Sequence, residues 1–104
     1  MTEYQILFSN SFSQSLNSVI QDWQNMGLSE TQIKKFIRLI NKTVISLKFY
    51  PNRFSDITSL YGFSKLTRRI LIGKKYAIFY RVNKNQQIVQ IGSLVQQKQV
   101  KVNF

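Results

Sequence analysis

One hundred and four residues, 43% of them hydrophobic, make one domain or one domain with a tail, and no apolar run approaches the ~18 residues of a membrane span. The absence of cysteine and histidine excludes disulfides, zinc fingers, cysteine nucleophiles and histidine bases; the four carboxylates (Glu3, Asp22, Glu30, Asp56) are too scattered for an acid pair or a metal cage, so no metal or cofactor is expected. Fifteen Lys and Arg against those four acids give a net charge of +11, which bears on partners more than on fold.

The opening residues, MTEYQILFSN, have neither a basic start nor a long apolar region, so no signal peptide is expected and the default location is the cytoplasm. Tyr4, Ile6 and Phe8 are two apart, which predicts a strand over 3–8. Phe12, Leu16, Val19, Ile20, Trp23 and Met26 then form one helical stripe, ended at Gly27 by a left-handed cap. Ser29 and Gln32 read as a capping box. A second helix follows with Ile33, Phe36, Ile37, Ile40, Val44 and Leu47 on one face, and Pro51 stops it. Two helices so closely joined lie antiparallel.

Residues 51–65 have no clean period and read as a loop with room for a short turn of helix. Strands are predicted over 66–72, 76–82 and 87–95, separated by turns at Gly73-Lys74-Lys75 and Asn83-Lys84-Asn85-Gln86, with a bulge at Gly92. The order is β-αα-βββ. It predicts an α+β fold, a helical hairpin on one face of a small, mostly antiparallel four-stranded sheet. The single domain spans 1–95 and a basic tail spans 96–104. The second face of the sheet is left for solvent or a partner.

Charge is placed unevenly. Residues 1–33 hold three acids and no base, a net −3, whereas residues 34–104 hold all fifteen bases and one acid, a net +14. Such a half suits phosphate or an acidic partner, with a plain solvated surface as the competing reading. Strand alternation puts Ile70 and Ile72 toward the helices, and Arg69, Phe79 and Arg81 on the second face, with Lys98 reaching it from the tail. Guanidinium forks match phosphate oxygens, so Arg69 and Arg81 are candidate clamps. Arg68, Lys74, Lys75 and Lys101 are further candidates for contacting nucleic acid or another target. Trp23 and Tyr80 read as packing residues, Tyr80 with a wet hydroxyl. Phe49, Phe54, Phe63 and Phe79, near loops and the second face among Lys and Arg, suit an acidic segment with apolar anchors.

The stretch RRILIGKKYAIFYRV (68–82) resembles the signature strands of the RelE/ParE toxin superfamily, from bacterial type II toxin–antitoxin modules. YQILFSNSF (4–12) is similar to the opening of that family, LKFYPNR (47–53) to its helix exit, and VQIGSL (89–94) to its last strand. The resemblance implies a growth-inhibiting toxin that forms a hetero-oligomer with a cognate acidic antitoxin and has no membrane role. One branch of the family cleaves mRNA in the ribosome and another poisons DNA gyrase; an inactive relative or a plain nucleic-acid-binding module is the remaining alternative. By the nuclease branch's pattern, Arg69 and Lys98 match catalytic charges, and with Arg81 they are the catalytic candidates of a ribosome-dependent endoribonuclease. Leu71, Ala77 and Gln96 depart from that pattern, and the long hairpin, about residues 11–48, looks more like the gyrase branch. Without histidine, the proton acceptor for RNA cleavage would be a lysine or tyrosine.

Overall fold

The structure, a computed structural model, describes residues 3–98 and 102–104. Strand β1 (Gln5–Phe8) leads into helices α1 (Asn10–Asn25) and α2 (Glu30–Ile45), the latter followed by a 3₁₀ turn at Ser46–Lys48. Then come β2 (Ser55–Asp56), the single helical turn α3 (Thr58–Tyr61), and strands β3 (Arg68–Ile72), β4 (Tyr76–Asn83) and β5 (Ile88–Gln96). The fold is α+β, as expected, but the sheet has five strands in the order β1-β5-β4-β3-β2 rather than four. The added strand, β2, has two residues, too few to carry a period. Only β1 and β5 run parallel. Among the described residues no helix is long and apolar enough to cross a membrane.

The hairpin is set by local chemistry. Ser9 caps α1 by accepting from the Phe12 N–H at 3.0 Å. Gly27, at φ +82°, turns the chain past the end of α1. The Ser29 side chain accepts from the Gln32 N–H (3.2 Å) and the Gln32 side chain accepts from the Ser29 N–H (3.0 Å), which completes the capping box. Trp23 and Phe36 then meet across the hairpin with ring centroids 4.6 Å apart. Trp23 also donates its indole N–H to the Tyr76 hydroxyl at 3.0 Å, tying α1 to β4.

The main core lies between hairpin and sheet. Phe12, Phe36, Ile40, Val44 and Leu47 pack on Ile70, Ile72, Ile78, Tyr80, Val89, Ile91 and Leu94. Each such side chain contributes about 1.5–3 kcal/mol by leaving water. Tyr80 is fully buried, and its hydroxyl is not wet: it donates to the Pro51 carbonyl at 2.8 Å.

The second face of the sheet, called the far face below, is not open. A smaller core of Ile57, Ala77, Phe79 and Val95 is covered by Tyr61, Phe63, Val102 and Phe104. The segment after Asp56 and the last described residues therefore fold over it. The bulge falls where Gly92 suggested. Ile78 pairs with Leu94 but Tyr80 pairs with Ile91, so Gly92 and Ser93 together oppose Phe79. The N–H groups of Ser93 and Leu94 are taken by the Asn103 carbonyl and the Ser15 hydroxyl, both at 2.9 Å. A Cβ on Gly92 would sit 2.8 Å from the Phe104 ring, so this position lets the last residues lie close against β5.

Candidate nucleic-acid interface

Arg69 and Arg81 share the far face. Arg69 stands opposite Phe79, and Arg81 is two residues further along β4 on the same side. They are diagonal neighbours, about 7–8 Å apart at the backbone. Neither side chain hangs free. Arg69 donates from Nη1 to the Tyr61 hydroxyl at 2.7 Å and lies over that ring at 5.7 Å. Arg81 donates from Nε to Thr67 Oγ1 at 3.0 Å, and its guanidinium carbon is 4.0 Å from the Phe104 centroid and 5.6 Å from that of Phe63. Partial burial lowers the Arg81 pKa below its usual value, though a guanidinium remains charged at neutral pH.

The aromatic frame positions both groups. Phe79 meets Tyr61 edge-on at 5.2 Å and Phe63 at 5.9 Å, and Tyr61 stacks on Phe63 at 6.0 Å. The short α3 presents Tyr61, and Asp56 holds its start by accepting from the Thr58 N–H and hydroxyl at 3.0 and 2.6 Å. Those bonds keep the Asp56 carboxyl below its ordinary pKa. Thr67 supplies the acceptor for Arg81 and donates its own hydroxyl to the Lys65 carbonyl at 2.9 Å.

Beyond Arg81 the far face opens into a groove of about 660 Å³. Lys65, Arg81 and Lys84 line it with Asn83, Gln90 and the exposed Leu66, and no carboxylate lines it. The groove suits a polyanion: several positive charges, amide groups able to bond bases or sugars, and an apolar wall.

Other sequence candidates are placed differently. Lys98 does not join the two arginines. Gln96 pairs with Tyr76, five residues along β4 from Arg81, or about 17 Å. Lys98 lines a separate cavity with Lys74 and Lys75. Arg68 points to the hairpin side, where its Nη1 donates to the carbonyls of Phe54 (2.7 Å) and Asn52 (3.3 Å), so it anchors a loop. Its buried Nε has no partner. Phe79 is buried, Phe54 packs edge-on to Tyr80 at 6.4 Å, and Phe63 is half-buried against Phe79, so of the four phenylalanines expected to await a partner only Phe49 is exposed. Lys101 lies outside the described residues.

The structure adds Tyr61, Thr67, Lys65, Lys84 and Phe104 to the site. Thr67 was within reach of the sequence pattern, since 67, 69 and 71 alternate onto one face. Tyr61 and Phe104 carried no periodic signal. The chain matches no protein-family model and no curated protein.

Proposed function

We propose that this protein is a growth-inhibiting toxin of the RelE/ParE type, acting in the cytoplasm on mRNA at the ribosome and neutralised by an acidic antitoxin. The observation that carries the proposal is the pairing of Arg69 and Arg81 on the sheet face opposite a helical hairpin, beside a basic groove lined by Lys65 and Lys84. Apart from the short β2 and α3, the order of elements agrees with the one implied by the sequence resemblance. Arg69 and Arg81 would clamp phosphate oxygens, and Tyr61, bonded to Arg69, would be the group that relays a proton to or from the sugar. The antitoxin would be an acidic segment, drawn to the basic half of the chain and anchored on exposed apolar side chains such as Ile45, Phe49 and Tyr50.

Induction in a bacterial host, with labelled precursors of protein, RNA and DNA, tests the target. Rapid loss of protein synthesis, relieved by co-expression of the proposed acidic antitoxin, is the expected result. Normal growth at verified high levels of intact protein would overturn the toxin reading.

A second reading, inhibition of DNA gyrase, is favoured by the length of the hairpin, two helices of 16 residues each. Early loss of DNA synthesis with a DNA-damage response would establish it over ribosomal cleavage.

A further inference from the structure

At the opposite end of β4 from the Lys65–Lys84 groove lies a different cavity, of about 690 Å³. Its apolar lining comes from Trp23, Met26, Leu28 and Tyr76, contributed by the end of α1, the hairpin turn and the start of β4. Its rim carries Lys74 and Lys75 from the β3–β4 turn and Lys98 from the turn after β5, with the amides of Gln96 and Gln97 between them. All three lysines are exposed, and the ion pairs among the described residues, Lys34–Glu30 and Lys48–Glu3, involve none of them. One carboxylate, Asp22, lines an adjoining groove beside Tyr76 and Gln96 and pairs with none of the three ammoniums.

The walls are tied together. The Gln97 N–H donates to the Lys75 carbonyl at 2.7 Å, and the Gln97 side chain donates to the carbonyls of Tyr76 (3.1 Å) and Gly73 (3.3 Å). These bonds fix the lysine-bearing turn against the end of β5. The Trp23–Tyr76 hydrogen bond fixes the aromatic wall. Three uncompensated ammoniums around one concave mouth concentrate positive potential there. Aromatic faces beside them suit a flat ring, and the exposed Gln96 amide offers both a donor and an acceptor to the edge of such a ring. A ligand that satisfies all three features carries a planar heterocycle and a phosphate.

We propose that this cavity binds a nucleotide unit, its base against Trp23 and Tyr76 and its phosphate on Lys74, Lys75 and Lys98. The assignment is independent of the Arg69–Arg81 site, which lies at the other end of the strand. The nucleotide is either free or part of a strand, and the two sources share this chemistry.

Trp23 is the chain's single tryptophan and lines this cavity, so its fluorescence reports on the surroundings of that one wall residue. Titration with adenosine and guanosine monophosphates should quench it saturably, whereas ribose 5-phosphate, which lacks the base, should not. Lys74→Gln with Lys75→Gln should weaken binding by about tenfold or more, the scale of lost hydrogen bonds to charged groups, and should not lower the melting temperature, because both side chains are exposed. Tighter, lysine-dependent quenching by a tetranucleotide than by the monophosphate assigns the site to a strand, and equal affinity assigns it to a free nucleotide. No quenching by any nucleotide at millimolar concentration, quenching indifferent to the double substitution, or quenching by an acidic apolar peptide alone would overturn the proposal.

Discussion

Tyr80 shows how much one buried polar atom decides. Its ring fills the main core while its hydroxyl holds the loop at Pro51, and Arg68 holds the same loop through the Phe54 carbonyl. Tyr80→Phe removes one hydrogen bond and leaves a carbonyl short of its donor, so a loss of about 1–2 kcal/mol is expected in urea unfolding. Burial raises the Tyr80 pKa above its ordinary value near 10. A folded pKa above the unfolded one means that this stabilisation is fully present below pH ~10 and declines as pH rises toward the folded value. The alkaline decline of the urea midpoint should therefore be shallower in Tyr80→Phe than in the parent; equal slopes would place the alkaline sensitivity elsewhere. Arg81 behaves as a structural residue as well as a candidate clamp. Sequence alternation places it on the correct face as a candidate clamp but not in an aromatic enclosure, because nothing in 66–82 announces that Phe104 and Phe63 will enclose it. Arg81→Ala is accordingly expected to lower stability by about 1–2 kcal/mol through its lost bond to Thr67 and lost ring contacts. Any loss of toxicity in that variant has to be read beside its melting curve, whereas Lys65→Gln and Lys84→Gln, both at exposed positions, test the same face without that burden.

At the scale of elements, the parts with a period or a cap were legible, and the parts held by distant contacts were not. Both long helices, the capping box and the three C-terminal strands follow from spacing and local chemistry. The two-residue β2 forms because Ser55 and Asp56 meet Arg69 and Arg68 across the sheet edge, a pairing with no local signature. The cover on the far face is likewise non-local. Ser93 donates its N–H and its hydroxyl to the Asn103 carbonyl, each at 2.9 Å, and Gly92 leaves room for the Phe104 ring. Part of the segment that reads as a basic tail beyond the domain is thus packed on the sheet. Gly92→Ala puts a methyl 2.8 Å from that ring and 3.0 Å from the Asn103 carbonyl oxygen. The substitution should lift residues 102–104 from β5. In hydrogen exchange the Ser93 amide should lose protection while amides of the Ile70–Ile78 ladder keep theirs; an unchanged Ser93 amide would mean that the sheet yields instead of the segment. Ser29→Ala, by contrast, should cost about 1 kcal/mol with no effect on the far face.

Across the whole molecule, one charge imbalance acts on two equilibria with opposite sign. The net +11 is opposed among the described residues by two ion pairs, at 3.3 and 3.6 Å, both well exposed. Exposed pairs of this kind stabilise little, so the fold bears most of its self-repulsion unrelieved. Added salt screens that repulsion, since the Debye length falls from about 30 Å at 0.01 M to about 8 Å at 0.15 M. The melting temperature should therefore rise with sodium chloride over this range, by about 4–8 °C for each kcal/mol of repulsion removed. Binding of single-stranded RNA should move the other way. If Lys65, Arg69, Arg81 and Lys84 each neutralise one phosphate, the logarithm of the association constant should fall with that of salt at a slope of about −2.8, from −0.7 per contact. Lys65→Gln with Lys84→Gln should bring the slope to about −1.4 at a melting temperature no lower than the parent's, since the pair removes two of the repelling charges. Fluorescence anisotropy of a labelled oligonucleotide across a salt series measures both numbers. A slope indifferent to the double substitution would move the interface off the far face, and a flat slope in the parent would show that the charge serves a protein partner rather than a phosphate backbone.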